Sequence, residues 1–201
     1  SLKNRPIDLN ITKLPDDVEY YTGETFDPTG AEYELLFEGS NTPRALKDIN
    51  LFNFEYRNAD TGDILYKETL ISSWGGTTNI SIEKYTFEKP NDNLNVELRY
   101  YFTNKYGYQV YVADTFEIKV ELNEIQNAKD YNFKQLYEIG TKFDETEFVQ
   151  NGYLIVQLEN DKTAQLSNGK TKVSEDIDYE YSTTFEVVVE PDLCHTGEDV
   201  T

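Results

Sequence analysis

The chain has 201 residues and a formal net charge of −20, with 38 acidic and 18 basic residues. A field of that sign repels phosphate backbones and anionic lipids, and no apolar run approaches the roughly 18–20 residues that span a bilayer. We therefore expect no nucleic-acid partner and no membrane insertion. Only 38% of the residues are hydrophobic, but the chain contains 16 Tyr and 11 Phe. Disordered chains are poor in aromatic residues, so this composition predicts a folded chain with a core of large rings.

Apolar and polar residues alternate along much of the chain, which is typical of strands with one buried face. The alternation is clearest where Val96 and Leu98 interleave with Glu97 and Arg99. No stretch predicts a long amphipathic helix, although residues 123–140 could hold a short helical turn. Turns are predicted at residues 58–63, 89–93 and 104–107, the last one closing a hairpin. The candidate strands, in chain order, are residues 7–13, 32–37, 51–57, 64–70, 79–83, 95–103 and 115–121.

Two sequence motifs occur twice in the same order. The first is Tyr-x-x-Gly-x-x-Phe-Asp-x-Thr, which begins at Tyr20 and again at Tyr137. The second is TFEIKVE at residues 115–121, which returns as TFEVVVE at residues 184–190. A motif pair that brackets a segment twice indicates two tandem modules. We predict an enlarged first domain at residues 1–121, a smaller second domain at residues 122–191, and a tail or linker at residues 192–201.

The first motif has a physical reading as a turn that specifies the fold. Gly23 and Gly140 would take a positive φ, which glycine adopts without steric cost. Phe26 and Phe143 would point inward after the turn. Asp27 and Asp144 would accept hydrogen bonds from backbone amides two residues on. The first module is longer than the second, and its extra stretch falls between Ser40 and Asn95.

Residues 11–40 resemble the opening of bacterial Ig-like domains of the group 3 type. Residues 129–161 are similar to the same opening, and residues 181–190 to the closing strand of that family. The resemblance implies two tandem all-β, immunoglobulin-like sandwiches. It also implies an extracellular setting, on the cell surface or secreted, usually in large proteins of Gram-positive bacteria. Such domains act there as spacers, adhesive modules or companions of enzymes.

Cysteine and methionine usage fits this setting. The single Cys194 excludes a disulfide within the chain, and bacterial surface modules often do without disulfides. The sequence contains no Met, so we expect it to be processed or excised from a longer chain.

The sequence offers no arrangement that predicts catalysis or a cofactor. His195 is the one imidazole, and it follows Cys194 directly in a polar tail, where neighbouring side chains of an extended segment point apart. Weak calcium candidates are Asp60, Asp63 and Asp92, which lie in predicted turns, but polar turns are the simpler interpretation. An internal amide crosslink would need a Lys and an Asn on adjacent strands beside a buried acid. The sequence does not show which residues could meet that requirement.

Aromatic residues of the first module provide the one candidate ligand site. Trp74 precedes two glycines within the extra stretch, and Tyr101, Tyr106 and Tyr108 lie at or near a predicted turn. These rings could form a contact patch, because aromatic rings with a polar tip are enriched at interfaces. For Trp74, burial in the core of the enlarged module is the favoured interpretation.

We expect a non-catalytic module that spaces or displays neighbouring domains of a larger chain. The alternative is an adhesin-type module that binds a host glycan or protein.

Overall fold

The computed structural model describes residues 5–46, 51–133, 138–142, 144, 152–167, 170–173 and 180–181. Within those residues the chain is all-β, as the alternation predicted, with one short 3-10 turn at Leu51–Asn53. Two compact units follow each other: unit 1 is Ser1–Leu122 and unit 2 is Asn123–Thr201. The strands are β1 Pro6–Lys13, β2 Glu19–Tyr21, β3 Glu32–Phe37, β4 Arg44–Leu46, β5 Phe54–Asn58, β6 Ile64–Trp74, β7 Thr77–Lys84, β8 Asn91–Thr103, β9 Gln109–Glu121, β10 Ile125–Asn132, β11 Tyr153–Leu158, β12 Thr163–Ser167, β13 Lys170–Val173 and β14 Glu180–Tyr181.

Unit 1 consists of two sheets that share one core. The smaller sheet has the order β1-β3-β4, and the larger has the order β2-β9-β8-β5-β6-β7. All neighbouring strands are antiparallel except β2 and β9, which are parallel. Seven of the fifteen buried hydrophobic residues of this core are aromatic, which agrees with the core of large rings that the composition predicted. The buried residues are Leu9, Tyr20, Phe26, Tyr33, Leu35, Phe54, Tyr56, Leu65, Phe87, Leu94, Val96, Leu98, Phe116, Ile118 and Val120.

Unit 2 contains one antiparallel sheet in the described residues, with the order β10-β11-β12-β13-β14. Its buried hydrophobic residues, as far as the structure describes them, come from the hairpin of β11 and β12, where Val156 lies opposite Ala164 and Leu154 opposite Leu166. A short helical turn was considered within residues 123–140, but residues 125–132 of this stretch form β10. Residues 134–137 lie outside the described residues. β11 pairs antiparallel with the polar segment 125–132 and supplies its backbone hydrogen-bond partners. Strand pairing therefore outweighs the weak preference of the segment for a helical turn.

The three strands β1, β3 and β4 have counterparts in β10, β11 and β12. In each unit the second strand pairs antiparallel with the first and then forms a hairpin with the third. Each first strand also has two register shifts against the second. The two units therefore share a local topology as well as a sequence motif. The repeated closing strand at residues 184–190 lies outside the described residues.

The repeated glycine forms the same turn in both units. Gly23 has a φ of 92° and Gly140 a φ of 84°, so the positive φ predicted for both is confirmed. The amide of Glu24 donates to the carbonyl of Tyr21 at 3.0 Å, and the amide of Thr141 donates to the carbonyl of Glu138 at 3.0 Å. Each glycine is thus the third residue of a hydrogen-bonded turn, the position where a type II turn requires positive φ.

The remaining residues of the first motif act as predicted. Phe26 is buried, and the Asp27 carboxylate accepts bonds from the Thr29 amide at 2.9 Å and hydroxyl at 2.6 Å. The Tyr20 hydroxyl accepts the Asp27 amide at 3.1 Å and lies 3.2 Å from its carbonyl oxygen. Burial raises the pKa of Tyr20 to about 12, so this ring stays neutral at ordinary pH. In unit 2, Phe143 lies outside the described residues, and Asp144 is described but exposed.

Several element boundaries differ from the sequence-based expectation, among them the start of β9, which is Gln109 where residue 115 was predicted. Residues 51–53 turn before β5 begins, where a strand was predicted from residue 51. The turn predicted at residues 89–93 is only partly right, because β8 already begins at Asn91. The Asn91 side chain accepts the Asn93 amide at 3.0 Å where the register with β9 shifts, so a local turn bond lies inside the strand. Finally, β6 continues to Trp74, four residues beyond the predicted end at residue 70.

We expect Gly140→Val to destabilise unit 2 by about 1–3 kcal/mol and to leave unit 1 unchanged. A Cβ at this position would meet no atom within 4 Å, so the cost comes from the positive φ alone. Thermal unfolding followed by calorimetry should show two transitions, of which one moves. Gly140→Asn is the matched control, because Asn tolerates positive φ, and it should recover most of the loss. Equal losses in both variants would contradict a conformational cause.

Candidate interaction site

The outer face of the larger sheet in unit 1 carries a buried carboxylate. Glu55 lies in the middle of the sheet on β5, opposite Lys67 on β6 and Arg99 on β8. Its two strand neighbours, Phe54 and Tyr56, point into the core. By the period of a strand, Glu55 must then point to the opposite face. It is nevertheless only 2% exposed, because the long side chains around it cover it.

Hydrogen bonds and opposite charges hold the Glu55 carboxylate. Arg57 donates to it through Nη2 at 2.8 Å and Nε at 3.2 Å, and the Tyr101 hydroxyl donates at 2.7 Å. The Lys67 Nζ lies 3.9 Å from its other oxygen. Burial by itself favours the neutral acid, but the bonds from Tyr101 and Arg57 outweigh it and lower the pKa of Glu55. The carboxylate is therefore charged at neutral pH.

A third cation, Arg99, extends this network toward β9. The Arg99 guanidinium pairs with Glu97, donates to the Tyr101 hydroxyl at 3.2 Å and lies 4.0 Å above the centre of the Tyr111 ring. Stacking of a guanidinium on a ring combines cation–π attraction with planar contact. Three cations and two carboxylates thus meet on one sheet face of a chain that is strongly acidic overall. Such a face can form hydrogen bonds and stacking contacts with a ligand.

Tyr101, one of the predicted contact residues, belongs to this network. Its hydroxyl is bonded to Glu55, and its ring lies edge-on to Tyr111, with the centroids 5.6 Å apart. Sequence reasoning missed Glu55, Arg99 and Tyr111. The alternation of β8 already placed Arg99 on the outer face, but no local signal indicated that Glu55 would be covered.

Trp74 lies at the end of the β6–β7 hairpin and is 88% exposed. The favoured interpretation of Trp74 as a core residue is therefore wrong. The part of the hairpin from Thr69 to Lys84 extends beyond the shared core of the two sheets. Every residue in that part, including Trp74, is therefore exposed. Gly75 and Gly76 close the hairpin with positive φ. The ring is consequently free to contact a partner.

Tyr106 and Tyr108 are also exposed, at the turn between β8 and β9. Their backbone amides donate to the Asn104 side chain, each at 3.0 Å, which orders the turn. Both β6 and β8 are antiparallel to β5, so they run in the same direction. The two hairpin turns therefore lie at the same end of the larger sheet, one carrying Trp74 and the other carrying the two tyrosines.

The weak calcium candidates do not come together. Asp60 and Asp63 lie in the turn between β5 and β6, where an Asp63 oxygen accepts the Thr61 hydroxyl at 3.0 Å. Asp92 lies in β8. Among the residues that the structure describes, no group of three or more His, Cys, Asp or Glu side chains could hold a metal ion. Cys194 and His195 lie outside the described residues.

No helix in the described part of the chain is long and apolar enough to cross a membrane. Comparison with known proteins adds no assignment: no family model matches the chain, and no curated protein or solved structure matches it either. The resemblance to bacterial Ig-like domains thus stays a prediction from short motifs.

We expect Glu55→Gln to lower the free energy of unfolding of unit 1 by about 1–3 kcal/mol at pH 7, because Arg57 and Lys67 lose the charge that they face. The pKa of Glu55 in the folded chain lies below its usual 4.5. Its contribution is therefore complete above that value and is lost as the pH falls through the folded pKa. Urea unfolding at neutral and acidic pH should show the difference between the two proteins shrinking in acid.

The control for this measurement is Glu83→Gln, an exposed carboxylate on β7. It should change stability by less than about 0.5 kcal/mol at either pH. A Glu55→Gln effect that stays the same in acid would contradict a charge-based role for the carboxylate.

Proposed function

We propose that the chain is a non-catalytic structural module of a bacterial surface or secreted protein, where it spaces or displays neighbouring domains. The observation that carries the proposal is serial repetition. Two compact units follow one another, and each begins with the same strand order and the same glycine turn. Repetition of one building block lengthens a chain in defined steps, which suits a spacer.

The way in which the chain enters and leaves unit 1 supports this role. β2 lies near the N-terminus and pairs in parallel with β9, the last strand of the unit. The Thr22 amide donates to the Glu121 carbonyl at 2.8 Å, and the Lys119 amide donates to the Val18 carbonyl at 2.9 Å. Once β1 has separated from β3, tension between the two ends of the unit pulls β2 and β9 in opposite directions along their length. Several backbone bonds must then break together, whereas a hairpin pulled from its open end loses them one by one.

The ends of the chain are therefore expected to resist force better than an internal hairpin. In single-molecule stretching from Arg5 to the last residue, we expect two unfolding steps, of roughly 400 Å for unit 1 and roughly 250 Å for unit 2. In the control geometry, handles at Ile64 and Lys84 pull the β6–β7 hairpin open. Unit 1 should unfold at higher force when it is pulled from its ends. Equal forces, or one merged step, would count against a spacer.

A second candidate function is adhesion through unit 1, to a host glycan or protein. The specific observation in its favour is the exposure of Trp74, Tyr106 and Tyr108 at one end of the larger sheet. An exposed Trp beside two glycines presents its whole ring to solvent, and Trp and Tyr dominate the binding energy of many interfaces. Under this proposal the two hairpin turns contact the ligand together.

The adhesion proposal predicts that binding depends on the indole ring. On arrays of glycans and extracellular-matrix proteins, Trp74→Ala should weaken any binding by at least about tenfold, since a central aromatic contact contributes about 2 kcal/mol or more. Tyr131→Ala removes an exposed ring from unit 2 and is the matched control. Circular dichroism verifies that both variants are folded. Absence of any bound ligand, or equal binding by both variants, would contradict this second function.

A further inference from the structure

The edge strand β7 is the most open hydrogen-bonding surface of unit 1. It ends the order of the larger sheet, and within the described residues its one strand neighbour is β6. Its eight residues, Thr77–Lys84, are all exposed, and they include no proline. At the opposite edge of the same sheet, β2 has only three residues. Long and regular edge strands are templates for pairing with another chain, which proteins commonly prevent with charges, prolines or short strands.

Most of the β6–β7 hairpin, from Thr69 to Ile82, lacks the charges that protect many edges. Residues 69–82 contain no Asp, Glu, Lys or Arg, and this is the longest uncharged stretch of a sequence in which 28% of residues are charged. Two copies of a chain with a net charge of −20 repel each other over most of their surfaces. The hairpin is the place where that repulsion is smallest.

One face of the hairpin is apolar as well as exposed. Leu70 lies directly opposite Ile80, and Ile82 is two residues further along the same face of β7. All three side chains are more than 40% exposed. A strand that adds to β7 with apolar residues on the same face would extend this strip. β7 of a second copy would supply such residues, because its Ile80 and Ile82 lie on one face.

We propose that β7 pairs antiparallel with β7 of a second copy of the chain, with a two-fold axis at Ser81. In this register Ser81 faces itself, and Ile80 of each copy lies opposite Ile82 of the other. It is the one antiparallel register that pairs both isoleucines with isoleucines. Glu83 then lies opposite Asn79 and Lys84 opposite Thr78, so no like charges meet. The two larger sheets become one continuous sheet, and the apolar strip crosses the axis.

The pairing is weak and depends on concentration. A single pair of strands buries less surface than the roughly 800 Å² per partner of a standard stable interface. The net charge of each copy also opposes association, so the dimer becomes more stable as salt screens the repulsion. This inference does not depend on the proposed function, because a spacer and an adhesin can each act as a dimer.

Sedimentation of the full chain tests the proposal. The wild-type chain should shift from monomer to dimer as its concentration rises to about 1 mM, and the shift should occur at lower concentration in high salt. Ser81→Asp places two carboxylates opposite each other at the axis and should raise the dissociation constant by more than about tenfold. Thr69→Asp adds the same charge on β6, opposite Ser81 but one strand away from the edge, and should have a much smaller effect.

Crosslinking provides a readout that does not require a destabilising charge. In a Cys194→Ser background, Ser81→Cys should form a disulfide-linked dimer on mild oxidation, and Thr69→Cys should not. A wild-type chain that stays monomeric at every concentration and salt level overturns the proposal. Equal weakening by the two Asp variants, or equal crosslinking by the two Cys variants, also overturns it, because association would then involve a surface other than the β7 edge.

Discussion

The Tyr20 hydroxyl and the glycine turn after it fix the corner on which the rest of unit 1 depends. Here the chain moves from β1 in the smaller sheet to β2 in the larger sheet, and then returns to the smaller sheet as β3. The positive φ of Gly23 reverses the chain, and the hydroxyl holds the backbone of Asp27 on the far side of the turn. Without this reversal, β2 could not pair with β9 while β3 pairs with β1.

The same corner connects the turn to the core. The Tyr20 ring lies 5.0 Å from the Phe87 ring and 6.0 Å from the Phe26 ring, which in turn lies 5.4 Å from the Tyr56 ring. Backbone bonds join the segment after Gly23 to the segment before β8: the Gly23 amide donates to the Phe87 carbonyl at 2.7 Å, and the Phe87 amide donates to the Glu24 carbonyl at 2.9 Å. The turn is thus held by aromatic packing and by main-chain bonds at once.

Several features of this corner and of the central strands could be predicted from the sequence. A Tyr, a Gly and a Phe-Asp pair at fixed spacing predicted a turn with positive φ, an inward ring and a side-chain bond to a backbone amide, because these preferences are local. The alternation of β8 and β9 predicted which residues would be buried, and Val96, Leu98, Phe116 and Ile118 are buried. The extent of β6 could not be predicted in this way, since the uncharged residues after Leu70 fit a loop as well as a strand.

The candidate site illustrates the same limit. Alternation assigned Arg99 to the polar face of β8, but the cover over Glu55 comes from side chains on three different strands. Similarly, the composition around Trp74 is compatible with a core position or a surface position. The sequence by itself determined the all-β class, the repeated turn and the buried faces of β8 and β9. Only the tertiary structure decided that Glu55 is buried, that Trp74 is exposed and that β2 joins β9, because burial depends on which strands lie side by side and how far the opposing sheet extends.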